Sequence, residues 1–296
     1  MNQKEPNRFR PMREPQPGRR RFLKAALLGL PALAAAIEGF GVEPRWLTVR
    51  QVKITAGAGK HRLVQFSDLH HRGDAPYLRR VVEQVNALQP DYVCFTGDIV
   101  EKLEHLDEAL EILRGIKSPM YGVPGNWEYW ALPGSEKHSM NAPENVKETR
   151  ALTEKYFAPI RKCFEATGGR FIEDSNVLST DKKINFVGAT GQLDPKICPD
   201  VSPRPGVKNI FLMHYPAWPR YWLPSMKFDL TLSGHSHGGQ VRLPGLGALR
   251  VPDLVDEYSQ GLFTTKFGPL YVNAGIGYSV INVRFLCRPE ITLIEI

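Results

Sequence analysis

The sequence predicts a mixed α/β architecture on three observations. Past Trp46 the chain carries short apolar, β-branched runs of strand length, and several of these are separated by stretches of helical periodicity. The C-terminal third alternates further strand-like runs with turns rich in Gly and Pro. No internal repeat is present, which excludes a solenoid or a propeller.

In chain order, strands are expected at 47–54 and 62–67. A helix near 76–88 leads into a strand at 91–96, and a helix near 105–115 into a strand at 119–123, so two connections have βαβ-like spacing. A long helix near 144–166 follows, then strands at 184–189 and 208–213. A short helix near 217–223 precedes strands at 228–233, 269–273 and 291–296. The segment from Trp130 to Ala142 contains Pro133-Gly134 and no periodic pattern, and loops of that length are often functional.

The 296 residues are 42% hydrophobic and 10% aromatic, enough for one large core and a short appendage. With 23% charged residues and a mean hydropathy of -0.28, the chain is neither a polytopic membrane protein nor a disordered one. The net charge of +7 is unevenly placed. Residues 1–24 carry eight Lys and Arg against two acids, leaving thirty against twenty-nine over residues 25–296. A nucleic-acid surface shows as a basic excess in the folded body, so no nucleic-acid partner is expected.

The basic start has the order of an export signal. Arg19-Arg20-Arg21-Phe22-Leu23-Lys24 precedes an apolar run from Ala25 to Ile37, and the paired arginines with Phe-Leu-Lys resemble a twin-arginine signal. Thirteen residues span about 20 Å as a helix, short of the roughly 30 Å of a hydrocarbon core. Residues 1–41 therefore read as a leader, cleaved at the small residues Ala34-Ala35-Ala36 or retained as an anchor, and residues 42–296 as the folded functional domain. The expected partners are the twin-arginine translocase and a membrane surface, and the expected location is the periplasm or the outer face of the cytoplasmic membrane. Cys94, Cys163, Cys198 and Cys287 form no Cys-x-x-Cys pair, so no zinc ribbon or redox motif is expected.

Acids, amides and histidines fall at the ends of five apolar runs. Leu63-Val64-Gln65-Phe66 ends in Ser67-Asp68-Leu69-His70, Tyr92-Val93-Cys94-Phe95 in Thr96-Gly97-Asp98, and Met120-Tyr121-Gly122-Val123 in Pro124-Gly125-Asn126. Ile210-Phe211-Leu212-Met213 ends in His214, and Leu230-Thr231-Leu232 in Ser233-Gly234-His235-Ser236-His237. Ligands gather outside the carboxyl ends of strands in helix-covered sheets, so the five blocks can meet. In each pair, Asp68 with His70 and His235 with His237, an extended backbone would aim both side chains to one side. His71 would then point away. Two Asp, four His and one Asn, without thiolate, suit two divalent ions such as Mn, Fe or Zn sharing a carboxylate. Taken singly, each block is also an ordinary turn or a core histidine.

This combination resembles the calcineurin-like metallophosphoesterase family over about residues 60–275, nearest to its exported or membrane-associated bacterial members, some of which cleave the pyrophosphate of UDP-diacylglucosamine in lipid A synthesis. The resemblance implies a four-layer αββα sandwich. It also implies one ion on Asp68, His70, Asp98 and His237 and another on Asp98, Asn126, His214 and His235, with Asp98 bridging. Asp98, Asn126 and His214 would take part directly in catalysis, by in-line attack of a metal-bridging hydroxide on a phosphoester or pyrophosphate, lipid-linked in one reading.

The chain departs from the family at Trp127, where most members carry a histidine assigned to the leaving group. An indole offers one N–H and no usable acid. An active enzyme should then favour pyrophosphates or activated diesters, whose leaving groups need little protonation. The alternatives are a phosphodiesterase or phosphomonoesterase acting on small soluble substrates, or an inactive metal-stabilised binding module. If a proton is needed, Glu128 and His138 are the nearest donors in sequence. Trp127, Tyr129, Trp130, Trp218, Tyr221 and Trp222 are either a surface for acyl chains or core packing. Arg72, Arg220 and Arg242 are possible phosphate clamps.

Overall fold

The computed structural model describes residues 33–54, 61–132, 146–191, 201–222 and 225–296. Two six-stranded sheets lie face to face. The first is built from β1 (Thr48–Lys53), β2 (Arg62–Phe66), β3 (Tyr92–Phe95), β4 (Met120–Gly122), β5 (Arg170–Phe171) and β14 (Glu290–Glu295), in the spatial order β1-β14-β2-β3-β4-β5. The second holds β6 (Ser175–Leu178), β7 (Ile184–Ala189), β8 (Lys208–Met213), β9 (Leu230–Ser233), β12 (Gly261–Thr265) and β13 (Gly268–Val272), in the order β12-β13-β9-β8-β7-β6. A two-stranded ribbon of β10 (Arg242–Leu243) and β11 (Gly247–Ala248) stands apart from both.

In β2 and β3 alternate side chains serve two cores, as the pleat requires. Leu63 and Cys94 face the second sheet, where they meet Ile210, Leu212, Leu230 and Leu232. Val64, Phe66, Val93 and Phe95 face the outer helices. Strands buried on both faces read as continuous apolar runs, which is why β2, β3, β7, β8 and β9 stood out in the sequence. Each fully buried Leu, Ile or Phe contributes about 1.5–3 kcal/mol.

Three helices cover the first sheet. In α1 (Ala75–Ala87) the Asp74 side chain caps the first turn at Tyr77 N, and Leu78, Val81, Val82 and Val85 form the buried stripe. The helix α2 (Leu106–Leu113) buries Leu106, Ala109, Leu110 and Leu113. A single turn, α3 (Trp127–Trp130), follows β4, and then α4 (Val146–Ala166) packs Phe157, Ile160, Cys163 and Phe164 on the same core. The outer face of the second sheet is covered by Trp218, from the short α5 (Trp218–Trp222), with Tyr215, Val201 and Phe228. The layers therefore run helix, sheet, sheet, helix-and-loop, the αββα arrangement that the resemblance implied.

The five strands that the sequence did not announce are β5, β6, β10, β11 and β12. The first four have two to four residues, and β12 is an antiparallel edge whose exposed and half-buried positions alternate. Of the loop from Trp130 to Ala142, residues 133–142 lie outside the described residues, as do Arg19, Arg20 and Cys198. Cys94, Cys163 and Cys287 are buried free thiols. Ahead of β1, helical turns at Glu38–Val42 and Glu43–Arg45 already belong to the body: Arg284 N donates to Gly39 O at 2.9 Å, and buried Glu43 accepts from Leu286 N and Cys287 N. No helix among the described residues is long and apolar enough to cross a membrane.

Candidate metal centre

The five polar blocks do meet. Asp68 and His70 follow β2, Asp98 follows β3 and Asn126 follows β4, all on the first sheet, while His214 follows β8 and His235 and His237 follow β9 on the second. The side chains converge across the cleft between the sheets at the strands' carboxyl ends.

The expected extended backbone is not how they get there. Asp68 (φ 51), His70 (φ 41), Asp98 (φ 66), His235 (φ 66) and His237 (φ 49) all adopt left-handed conformations. Such residues cost on the order of 1–3 kcal/mol each and persist where the surroundings over-determine them. Those surroundings are visible: Asp68 N donates to Gly97 O, His70 N to Asp98 O, Ile276 N to Ser67 O and Gly277 N to Asp68 O. Two glycines let the loops approach. A Cβ on Gly125 would overlap the Asp98 carboxylate, and one on Gly234 would overlap Ser67 Oγ. Glu128 completes the brace. It is buried, and its two oxygens accept from Asp98 N at 3.0 Å, Ile99 N at 2.6 Å and Gly125 N at 2.6 Å.

The protonation of the imidazoles follows from their outer partners. His214 Nδ1 lies 2.6 Å from the Thr96 carbonyl and His235 Nε2 3.0 Å from the Asp253 carbonyl. A carbonyl only accepts, so those nitrogens carry the protons and the opposite ring nitrogens turn lone pairs inward. His70 Nδ1 lies 3.2 Å from Glu101 Oε1, off the line of an ideal hydrogen bond, and its Nε2 also faces inward.

Inside, ring nitrogens meet one another and the oxygens of Asp68, Asp98 and Asn126. His214 Nε2 is 3.1 Å from Asn126 Oδ1, 3.1 Å from His235 Nδ1 and 3.3 Å from Asp98 Oδ2. His70 Nε2 is 3.0 Å from His237 Nε2 and 3.4 Å from Asp98 Oδ2, and His237 Nε2 is 3.5 Å from Asp68 Oδ1. Lone pairs at these distances repel unless a proton, such as the one His214 takes up, or a metal ion lies among them. Ligand atoms of Asp68, His70 and His237, and separately of Asp98, His214 and His235, lie within 4.8 Å of one another, so the residues fit two metal ions. Asp98 Oδ2 stands nearly midway between His70 and His214, while its Oδ1 accepts from Trp127 N at 2.9 Å.

The electrostatics of the cluster follow from the same contacts. Burial works against a charged His214, but Asp98 and Asp68 outweigh it and hold this imidazole above its usual range. Burial likewise pushes Asp98 up, and His214 and His70 overcome it, so that Asp98 lies below the usual carboxylate range. His235 is pushed down to about 3 by burial and then by the charge on His214, and His237 is lowered for the same first reason. Without metal the centre takes positive charge at one imidazole and resists it at two others.

The remaining candidates separate cleanly. His71 leaves the cluster and binds Glu108 of α2 at 2.7 Å, as expected, although the local backbone is not extended. Arg72 pairs with Glu101 and lies over the Tyr278 ring at 4.4 Å, Arg220 pairs with Asp256 and Glu257, and Arg242 donates to Gly238 O at 2.8 Å. All three are thus engaged by protein groups. Tyr129 packs at an angle against Phe157 and Trp218 packs near Phe211, which is core packing. Trp127 stands edge-on to His70 at 5.8 Å and to Trp130 at 5.6 Å, at the rim of the cluster. Glu128 is spent on three main-chain N–H groups and is not a free acid, and His138 lies outside the described residues. Glu101 was missed in the sequence, although it follows Asp98 by three residues.

A cavity of about 210 Å³ opens beside His70, lined by Phe40, Arg45, Leu69, Tyr77, Ile276 and Tyr278 among others.

Comparison with known proteins converges on the same chemistry. The chain is 26% identical over 294 residues to the uncharacterized metallophosphoesterase YkuE of Bacillus subtilis, covering 93% of this chain and 96% of that protein. It is 28% identical over 280 residues to the UDP-2,3-diacylglucosamine pyrophosphatase LpxG of Chlamydia muridarum, covering 79% and 83%. To the phosphodiesterase YaeI of Escherichia coli it is 26% identical over 295 residues, covering 94% and 98%. The family model for calcineurin-like phosphoesterases matches residues 61–239, from the first strand of the cleft to the last histidine block. The chain belongs to the calcineurin-like phosphoesterase family and is a metal-dependent phosphoester hydrolase with a centre for two ions.

Proposed function

We propose that this hydrolase cleaves a pyrophosphate or an activated phosphodiester, with a nucleotide-linked glycolipid resembling UDP-diacylglucosamine as the leading substrate class, and that it does so after export, at the outer face of the cytoplasmic membrane. The observation that carries the chemistry is the pair of acid-and-histidine clusters, Asp68 with His70 and His237 and Asp98 with His214 and His235, whose ligand atoms lie within 4.8 Å of one another. In this reading Asp68, His70, Asp98 and His237 hold one ion, and Asp98, Asn126, His214 and His235 the other. When bound, the ions lower the pKa of water and neutralise phosphoryl oxygens, and Mn, Fe and Zn all suit this donor set.

The chain's own residues do the positioning. Asp98 offers Oδ2 to both halves and is kept from rotating by Trp127 N–H on Oδ1. Asn126 turns Oδ1 towards His214, which leaves its amide N–H groups to donate to a phosphoryl oxygen. His214 is fixed by Thr96 through Nδ1, so its Nε2 is held towards the cluster as a ligand. With neither Trp127 nor Glu128 placed to supply a proton, this reading favours a leaving group that bears its own charge. A phosphate does so, with a second pKa of about 6, and an alkoxide does not.

Hydrolysis of bis(p-nitrophenyl) phosphate by the manganese-loaded protein tests the enzyme reading, and absence of turnover with both ions bound would favour the binding module. A nucleotide-sugar lipid should then be cleaved faster than soluble sugar phosphates, and the reverse order would favour the small-substrate alternative. For export, Arg19→Lys with Arg20→Lys keeps the charge but removes the paired guanidinium groups. Fused through residues 1–45 to a reporter that must fold before transport, the doubly substituted leader should fail, and equal export would reject the twin-arginine route.

A further inference from the structure

Three segments lie edge to edge on the side of the cavity beside His70. Gly39, in the segment before β1, accepts from Arg284 N; Phe285 N donates to Gln240 O and Arg242 N to Phe285 O; and Leu249 N donates to Val241 O. Residues 33–46, 279–288 and 240–249 are thereby stitched into one surface. Ten of the fifteen large apolar side chains exposed among the described residues lie on these three segments, so apolar exposure is concentrated here rather than scattered. Val280 is 82% exposed and Leu246 77%, with Ile281, Leu249, Phe40 and Val42 also open.

The occupant is indicated by charge and by continuity. Arg250 and Arg288 are exposed at the edge of this surface, and Arg242 is half-buried beside it. The one acid of these segments that is not buried is Glu38. The apolar run that begins at Ala25 leads directly into the first segment. Apolar side chains flanked by arginines match the boundary between anionic headgroups and acyl chains. The cavity, lined by Phe40 from one segment and Asn282 from another, opens between them and reaches His70.

We propose that this surface docks on an anionic phospholipid bilayer, with Val280, Ile281 and Leu246 entering the interface, so that a lipid-linked phosphoester reaches the metal centre from the membrane side. Only the last clause rests on the substrate reading above; the docking surface stands on the exposed side chains and the arginines beside them.

The test follows amide exchange in the full chain mixed with phosphatidylcholine vesicles containing or lacking phosphatidylglycerol. Exchange within 243–249 and 279–286 should slow about tenfold with the anionic vesicles, and exchange in β12, whose Leu262 is also exposed, should not change. Val280→Asp with Ile281→Asp and Leu246→Asp should remove this protection while leaving turnover of bis(p-nitrophenyl) phosphate intact. Vesicle binding without protection of these segments would mean that the leader alone binds, and would overturn the proposal. Protection that grows with protein concentration in the absence of vesicles would overturn it too, by assigning the surface to a second copy of the chain. Protection without turnover of any phosphoester would support the docking surface and count only against the substrate reading.

Discussion

The two halves of the metal centre hold their histidines by different means. In the half around Asp98, His214 and His235 are anchored by main-chain carbonyls of Thr96 and Asp253. In the half around Asp68, His70 faces the carboxylate of Glu101, itself paired with Arg72, and His237 Nδ1 meets no hydrogen-bond partner among the described residues. A carbonyl anchor is fixed by the fold. A carboxylate anchor adds charge and can be lost by one substitution or one change in its arginine partner. The comparison teaches that the first half is set by topology and the second by side chains, so the ion on Asp68 should be the more easily exchanged.

The most severe way to break this comparison is to remove what the halves share. Asp98→Asn takes a charge from between two cations and should cost both ions, with turnover falling at least about 100-fold, since even outer partners of metal ligands are worth 10–100-fold. Metal analysis of the purified variant decides it: two retained ions with full activity would mean that Asp98 does not bridge. Glu101→Gln should be milder and one-sided. It should weaken a single ion by about 10-fold or more and leave the other untouched. Stepwise chelation reads the two affinities, and equal weakening of both would erase the asymmetry.

The smallest effect is expected at Trp127, which stands against His70 of the side-chain-anchored half. Trp127→His should raise turnover of alkyl esters over that of pyrophosphates by about 10-fold if general acid catalysis is regained, with metal content unchanged. A series of leaving groups of rising pKa measures it. A rate of the unaltered protein that is flat across the series, with chemistry limiting, would show that another group already donates the proton.

How much of this was legible in the sequence follows the same division. The long buried strands and the seven candidate ligands could be read because each strand announces itself as an apolar run and each candidate follows one. The left-handed turns that aim Asp68, His70, Asp98, His235 and His237 could not, because they are imposed by bonds from loops far away in sequence, such as that of Gly277 N to Asp68 O. Thr96 and Asp253 act through main-chain carbonyls, which no side-chain pattern marks. Glu128 could be seen but its role could not. An acid beside a missing histidine looks like a proton donor until its three main-chain partners are known. The edge strand β12 and the two-residue β5 are too short or too mixed for periodicity to find.

One feature of the first sheet bears on how the chain is made. β14 lies between β1 and β2, parallel to one and antiparallel to the other, although it is the last strand in sequence. β1 and β2 have no bonds to one another in the sheet, so their joining depends on residues 290–295, more than 220 residues further along the chain than β2. Closure of the sheet is therefore dominated by long-range pairing, and a chain cut before residue 290 would leave β1 and β2 without the strand between them.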